Sequence, residues 1–358
     1  MNQVVNETDI QEPVRVVEIG VKGLFGLYDH TVKLKDERVT IIHGPNGVGK
    51  TVFLQAINVF LSRNSANPGL FKEVFVIFND GQQAAFRGKM LESKDIPNLP
   101  YPTYFIDVKR LCDTSDKVHR IKQLVNHLSE KIDKAKVSYS EYSQSLDQSF
   151  PIRLIKTTVL EENFQKNTLM KMFSQIDWQR KRYQSIGLLE ASDQFSDNEF
   201  ELANLKPEQY TTMTLYAKDT KAKLDILEPL ATKIEKLIAI LNHKLKNKKV
   251  FLEHKNGLVI RNSNDVELTW DSLSSGEQHL FVLIYELLLK VEPNTLVLID
   301  EPELSLHISW QRELVDDFLG IIKLNSFDIV LATHSPSIIN DHSNLMVAFK
   351  SNIQQEVA

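Results

Sequence analysis

The stretch Gly44-Pro45-Asn46-Gly47-Val48-Gly49-Lys50-Thr51 decides the fold of this chain. Its order of glycine, four residues, glycine, lysine and threonine is the pattern of a phosphate-binding loop. An apolar strand pattern at residues 39–42 precedes the loop, and an amphipathic stretch through Phe60 follows it. This context favours nucleotide binding over a glycine turn that binds nothing. The nucleotide-binding residues predicted in the loop are Gly44, Asn46, Gly47, Gly49, Lys50 and Thr51.

The chemistry of such a loop gives its last two residues separate roles. The glycines let backbone N–H groups turn toward phosphate oxygens. Lys50 would neutralise the β- and γ-phosphates and is a predicted catalytic residue, whereas Thr51 would offer its hydroxyl to a metal ion. The loop therefore predicts ATP and Mg²⁺ as cofactors.

A second motif consists of an apolar strand at residues 296–299 that ends in Asp300 and Glu301. Asp300 would hold Mg²⁺, usually through water, and Glu301 would be the general base that polarises the attacking water. Acidic residues commonly end strands, so this motif alone is weak. Together with the phosphate-binding loop it predicts an ATP-hydrolysing site.

The segments around both motifs predict an α/β fold. Residues 14–21 and 31–34 alternate as strands do and indicate a β-rich N-terminal unit. Near the other end, apolar strands at 295–299 and 328–332 alternate with helical segments. This alternation is typical of a parallel sheet that is covered on both faces.

Between residues 113 and 247 the sequence becomes charged and helix-forming, with apolar residues three or four apart near its end. That pattern lasts too briefly for a long coiled coil, so we expect a short helical hairpin or bundle. Pro229 should start or kink the last helix, and the polar stretches 138–148 and 191–198 should be loops. A hairpin signal at 250–261 marks the return of strands. The predicted domains are residues 1–112 and 248–358 as the two halves of a nucleotide-binding head, and 113–247 as a helical insertion.

Composition favours a soluble, cytoplasmic protein. The 358 residues include 42% hydrophobic residues, and we see neither a secretory signal nor an apolar run that could cross a bilayer. The single cysteine, Cys112, rules out an internal disulfide. The net charge of −5 argues against nonspecific coating of nucleic acid. The lysine run 244–249 is either the solvated side of a helix and its exit turn or a patch that contacts phosphate.

A third motif, Leu273-Ser274-Ser275-Gly276-Glu277-Gln278, resembles the signature of ABC ATPases. In that family, serine and glycine begin a helix whose positive end faces the γ-phosphate held by the opposite head. The resemblance implies nucleotide contacts from Ser274, Ser275, Gly276 and Glu277. An ordinary helix capped by Ser274 or Ser275 is the alternative.

Two further segments complete the family's order of motifs. Residues 302–307 follow Glu301 as the D-loop does, and the resemblance implies a nucleotide contact from Ser305. Residues 332–336 follow a strand, which makes His334 the predicted switch histidine and a catalytic residue. Two copies would then complete each site, as a homodimer or higher homo-oligomer of heads. One head would supply Lys50, Thr51, Asp300, Glu301 and His334, and the other Ser274, Ser275, Gly276 and Ser305.

The strings 274–278, 300–303 and 333–336 are similar to the AAA-annotated ABC ATPases of prokaryotic defence. That group includes the OLD-type nucleases, the Septu ATPase PtuA and the PARIS ATPase AriA. Two positions depart from the pattern: Lys109 stands where a Q-loop glutamine is frequent, and Ile308 where proline is frequent. Since few residues follow Pro336, we expect any nuclease to be a separate partner.

The function that this resemblance implies is an ATP-hydrolysing sensor or switch in an antiphage defence system, which controls a separate effector such as a nuclease. Nucleic acid is a further candidate partner, and a membrane is not expected. Two alternatives stay open: a DNA-maintenance ATPase of the SMC and recombination kind, and a structural scaffold that holds ATP with little turnover.

Overall fold

The computed structural model describes residues 13–62, 71–87, 101–107, 114–159, 166–190, 205–253 and 256–349. Within these ranges the strands are, in chain order, β1 (Val16–Leu24), β2 (Tyr28–Lys33), β3 (Val39–His43), β4 (Glu73–Phe78), β5 (Gln83–Arg87), β6 (Thr103–Ile106), β7 (Lys248–Glu253), β8 (Gly257–Asn262), β9 (Glu267–Leu268), β10 (Leu296–Asp300), β11 (Asp328–Thr333) and β12 (Met346–Ala348). The helices are α1 (Lys50–Ser62), α2 (Thr114–Val159), α3 (Lys166–Ser185), α4 (Pro207–Asp225), α5 (Glu228–Lys244), α6 (Ser275–Leu289), α7 (Ile308–Asn325) and α8 (Pro336–Ile339).

The chain divides into two compact units. The head unit comprises Met1–Lys117 and Ser275–Ala358, and the helical unit comprises Val118–Ser274. The sequence-based division differs from this one, because it assigned residues 248–274 to the head and residues 113–117 to the insertion. The strands β7–β9 lie in the helical unit because β7 is bound to the helix before it. The Asn242 side chain donates to the Val250 carbonyl over 2.9 Å and accepts from the Val250 N–H over 2.6 Å.

The head unit contains a parallel sheet of five strands in the order β12-β3-β11-β10-β6. Strands β10 and β11 are buried along their whole length, as their unbroken apolar sequences predict. The α/β fold with a parallel-sheet core and a helical insertion is therefore confirmed. Since β3, β11 and β10 are neighbours that run in the same direction, the loops at their carboxyl ends meet at one edge of the sheet.

A second, antiparallel sheet in the order β2-β1-β4-β5 forms the β-rich N-terminal unit. Its apolar face shares one buried core with helix α1, in which Ile19 and Phe53 are fully buried. On the other face of this sheet Gly20 pairs with Phe75 of β4, and a β-carbon at Gly20 would lie 2.2 Å from the Phe75 ring. The core fixes α1, and with it the loop that precedes α1.

The loop predicted at residues 138–148 was wrong, because this stretch lies inside helix α2. The helix runs unbroken through this stretch for 46 residues. Within and just after this stretch, the hydroxyls of Ser145 and Ser149 donate to carbonyl oxygens of the preceding turn, so these two polar side chains are satisfied inside the helix. Pro151 also lies within the helix, where the Arg153 guanidinium donates to the Leu146 carbonyl over 2.8 Å.

Other predictions for the helical unit have mixed outcomes. Helix α5 begins at Glu228 with Pro229 in its first turn, so the predicted start near that proline is confirmed. Lys244 is buried, and Lys248 donates to the Ser272 carbonyl over 2.9 Å. The lysine run is therefore not simply a solvated helix side.

Residues 191–198, Lys109 and Cys112 lie outside the described residues. No helix in the described ranges is long and apolar enough to span a membrane.

Candidate nucleotide-binding site

The glycine loop connects β3 to α1 and has the backbone that its sequence demands. Gly47 and Gly49 adopt φ values of 83° and 88°, in the left-handed region that favours glycine. A β-carbon at Gly49 would also lie 2.5 Å from the Leu24 side chain. Beneath the loop, the buried His30 ring places Nε2 3.0 Å from the Val48 carbonyl oxygen and stacks on Phe349 at 3.6 Å. The loop is thus held from below in one conformation.

Lys50 lies folded over this loop. Its ammonium group donates to the carbonyl oxygens of Gly44 and Pro45 over 2.8 and 2.9 Å. Burial lowers the pKa of Lys50, and the nearby carboxylates of Glu301, Asp300 and Glu303 offset part of that effect. A phosphate would replace weak carbonyl acceptors with charged oxygens, which form stronger hydrogen bonds with an ammonium group.

Asp300 ends β10 beside Thr51, and the Thr51 hydroxyl hydrogen bonds to its carboxylate. The Asp300 side chain is almost fully buried, and its Oδ1 has no hydrogen-bond partner among the described residues. Burial raises the pKa of Asp300 to about 6; the Thr51 hydroxyl opposes the rise and the charge of Glu301 adds to it. A buried carboxylate with a spare oxygen next to a hydroxyl fits a hard divalent cation.

The described residues hold no group of three or more His, Cys, Asp or Glu side chains that could bind a metal ion by themselves. Mg²⁺ usually keeps several waters and takes its other ligands from one or two carboxylates and substrate phosphates. The pair of Thr51 and Asp300 therefore fits Mg²⁺ bound together with ATP.

Glu301 and His334 lie side by side. Glu301 has a φ of 47°, which is uncommon for a residue other than glycine, and its N–H donates to the Ala332 carbonyl over 2.8 Å. Its Oε1 lies 3.3 Å from His334 Nε2, while His334 Nδ1 lies 3.2 Å from Lys50 Nζ. Burial and the Lys50 charge lower the pKa of His334, and Glu301 raises it in part. A neutral imidazole that accepts from Lys50 and donates to Glu301 satisfies this geometry.

Glu303 belongs to the same site, although the sequence did not single it out. Its buried Oε1 accepts from the Thr333 hydroxyl over 2.6 Å, from the His334 N–H over 2.9 Å and from the Ser335 N–H over 3.1 Å. In the sequence Glu303 stood within the strings 300–303 and 302–307 but had no role of its own, because its partners lie further along the chain. These bonds join the loop after β10 to the loop after β11.

A cleft of about 530 Å³ opens at this edge of the head unit. Residues of the glycine loop, the D-loop and the switch loop line it together: Asn46, Glu301, Glu303, Leu304, Ser305, Leu306, Gln311, His334 and Ser335. The predicted residues Asn46 and Ser305 therefore face the same space as the predicted base and switch histidine.

The signature residues form a separate group. Helix α6 begins at Ser275, where Ser274 and Ser275 are exposed and Gly276 and Glu277 are buried. Gly276 lies against the D-loop of its own chain, since a β-carbon there would be 2.3 Å from the Ser305 carbonyl oxygen. Two residues that the sequence assigned to the opposite head are thus neighbours in space, and the serines beside them face outward.

Comparison with known proteins identifies the family. The AAA ATPase domain family matches residues 16–339, which is most of the chain. No curated protein matches by sequence. Among solved structures, the Smc head domain of Pyrococcus furiosus with an extended coiled coil, bound to the C-terminal domain of ScpA, is 13% identical with a TM-score of 0.40; the match covers 94% of this chain and 93% of that one.

The SMC head domain from Thermotoga maritima is 15% identical with a TM-score of 0.41, and the match covers 93% of this chain and 94% of that one. The likeness is distant in both cases. The match at residues 16–339 extends over the glycine loop, Asp300, Glu301 and His334, and the chain therefore belongs to the AAA ATPase domain family, whose members bind ATP, typically with Mg²⁺.

Proposed function

We propose that the protein hydrolyses ATP at the edge of the parallel sheet and uses the reaction as a switch. The observation that carries this proposal is the row of Lys50, His334 and Glu301, in which successive polar atoms lie 3.2 and 3.3 Å apart. A cation for the phosphates, a switch group and a carboxylate for the attacking water follow one another in that order. This is the arrangement that in-line phosphoryl transfer needs.

In the reaction, the N–H groups of the glycine loop and Lys50 hold the phosphates, and Lys50 leaves the carbonyls of Gly44 and Pro45 to do so. Mg²⁺, when bound at Thr51 and Asp300, neutralises part of the phosphate charge. Glu301 orients the attacking water and accepts its proton. His334 lies between Lys50 and Glu301, and its contact with the γ-phosphate reports whether that phosphate is present.

We further propose that a second copy completes each site. Ser274 and Ser275 are exposed at the positive end of helix α6, so they are placed for an anion outside their own chain. Ser305 and Leu304 are exposed on the neighbouring D-loop. Since a β-carbon at Gly276 would lie 2.3 Å from the Ser305 carbonyl oxygen, the start of α6 and the D-loop lie side by side and can meet the nucleotide of another head together.

The test is the substitution Glu301→Gln, which keeps the size of the side chain but removes its basic oxygen. We expect ATP binding to be retained and turnover to fall by about 100-fold or more. Glu292→Gln is the matched control, because Glu292 is exposed and precedes the N-terminal end of β10, away from the site. This variant should leave turnover unchanged. Normal turnover in Glu301→Gln would remove Glu301 as the base.

The biological role that we propose is that of a sensor or switch in prokaryotic antiphage defence, which acts on a separate effector such as a nuclease. The motif strings at 274–278, 300–303 and 333–336 support it by resemblance. The experiment is purification of the chain with the proteins encoded beside it, with and without ATP. A co-purifying nuclease whose activity follows the nucleotide state supports the role.

A second candidate is a DNA-maintenance ATPase, and the unbroken helix α2 favours it. Its 46 residues correspond to a length of about 69 Å, more than the sequence predicted for the insertion. Co-purification of cohesion-type subunits in the same experiment would support this candidate and count against the defence role. A scaffold with little turnover is the least suitable, because Asp300, Glu301 and His334 are all in place.

A further inference from the structure

We propose that Glu303 is a positioning residue that couples the D-loop to the switch histidine. This inference rests on the proposed ATP hydrolysis. The evidence for it is a single carboxylate oxygen of Glu303, Oε1, which accepts hydrogen bonds from Thr333, His334 and Ser335 over 2.6, 2.9 and 3.1 Å. The Glu303 side chain is buried, with a relative exposure of 9%, so water does not compete for these donors.

The three bonds fix the backbone that carries His334. Two of the donors are successive backbone N–H groups, and the third is the hydroxyl of Thr333, the last residue of β11. With its backbone held on both sides, the imidazole lies 3.2 Å from Lys50 Nζ and 3.3 Å from Glu301 Oε1. A shift of about 1 Å would break these contacts, and losses of that size are costly in catalysis.

A second link runs parallel to the first. The Ser335 hydroxyl donates to Gln311 Oε1 over 2.7 Å, and Gln311 Nε2 donates to the Leu306 carbonyl over 3.0 Å. Both links therefore start in the D-loop and end on the residues next to His334. The two loops form one hydrogen-bonded body.

The D-loop side of this body is exposed. Leu304 and Ser305 follow Glu303 directly and are open to solvent, and the Leu306 N–H donates to the Glu303 carbonyl over 2.9 Å. A second head that presses on Leu304 and Ser305 thus acts on the residue that holds the His334 backbone. Docking of the partner is transmitted to His334 through Glu303.

The experiment measures ATP turnover and ATP affinity in Glu303→Ala, with Glu292→Ala as an exposed control. We expect kcat to fall by about 10- to 100-fold and the Kd for ATP to change by less than about threefold, because the glycine loop is untouched. Glu303→Gln should recover most of kcat, since its amide oxygen can accept the same three bonds. Unchanged kcat in Glu303→Ala would overturn the proposal.

The double variant Glu303→Ala/His334→Ala separates positioning from general stability. If Glu303 acts through His334, the double variant should be about as slow as His334→Ala alone. If the loss of kcat in the double variant equals the product of the losses in the two single variants, Glu303 acts independently of His334 and the proposal is overturned. If Glu303→Ala does not fold, Thr333→Val provides the same test. It should lower kcat by a smaller factor, and it should cause no further loss of kcat when His334 is already alanine.

The outcomes distinguish this inference from the proposed function. If the unmodified protein hydrolyses ATP and Glu301→Gln does not, the proposed function stands whatever Glu303 does. If Glu303→Ala then keeps full kcat, only the coupling is wrong. If the unmodified protein shows no turnover, both fall together.

Discussion

At the scale of single residues, the site depends on a few side chains whose charges are held close together. Lys50 is buried and is surrounded by Glu301, Asp300 and Glu303, whose charges partly offset the lowering of its pKa by burial. Removal of the ammonium group would leave three acidic residues facing the triphosphate. The repulsion would add to the loss of the contact itself.

For this reason we expect Lys50→Ala to abolish nucleotide binding, with a Kd for ATP raised by at least about 100-fold, or about 3 kcal/mol. Isothermal titration calorimetry with ATP and Mg²⁺ measures it directly. Lys246→Ala changes an exposed lysine and is the matched control. Retained ATP affinity in Lys50→Ala would overturn the assignment of the phosphate-binding loop.

Single residues also show what the sequence could predict. Lys50, Thr51, Asp300 and Glu301 stand in short local motifs, and the parallel strands β3 and β10, on either side of β11, bring these motifs to one edge of the sheet. Glu303 could not be found in this way, because its donors lie 30 to 32 residues further along the chain. Its role arises only when the loops after β10 and β11 meet in space.

At the scale of elements, the helical unit is held by polar contacts as well as by its apolar core. Arg182 on α3 forms two-oxygen contacts with Glu228 and with Glu235 on α5, at distances of 2.7 to 2.8 Å. Tyr183 donates to Glu228 over 2.6 Å. The Arg182–Glu235 pair is bidentate, with two nitrogens on two oxygens, and such a pair fixes the orientation of the two helices more firmly than an ordinary surface ion pair.

The Glu228 carboxylate makes this contact sensitive to acid. Burial raises the pKa of Glu228, but hydrogen bonds from Tyr183 and Arg182 outweigh it and lower the pKa to about 2. The unfolded value is about 4.3, so the folded state binds fewer protons between these values. The contribution to stability is complete above about pH 4.3 and is lost as the pH falls toward 2.

We therefore expect Glu228→Gln to lower the free energy of unfolding at pH 7 by about 1 to 2 kcal/mol, a value reduced for the partial exposure of the side chain. The difference from the unmodified protein should shrink at pH 3. Urea unfolding followed by tryptophan fluorescence measures it; Trp178, whose ring centre lies 5.4 Å from the Arg182 guanidinium carbon, contributes to this signal. Glu141→Gln, at an exposed position, is the control; a difference that is equal at both pH values would contradict the account.

Elements also show where sequence patterns fail. Polar composition at 138–148 predicted a loop, yet serine hydroxyls bonded to their own helix let α2 continue. The hairpin at 250–261 was predicted correctly as β7 and β8, but its place in the helical unit depends on Asn242, a tertiary contact without a local pattern.

At the scale of the whole molecule, the predicted site residues fall into two groups within one chain. Lys50, Glu301 and His334 meet at the sheet edge, whereas the signature serines face outward beside Gly276. Ser305 lies between the two groups, because it contacts Gly276 and also lines the cleft at the sheet edge. A symmetric dimer would use both groups twice, because a twofold axis presents the same surface on each copy.

A mixing experiment tests most directly whether a second copy completes the nucleotide site. Lys50→Ala has an intact signature, and Ser275→Arg has an intact glycine loop; each alone should be inactive. Random pairing of equal amounts gives half mixed dimers with one intact site each, so we expect about a quarter of the normal ATP turnover to return. No recovery in the mixture, or full activity of Ser275→Arg alone, would contradict the claim.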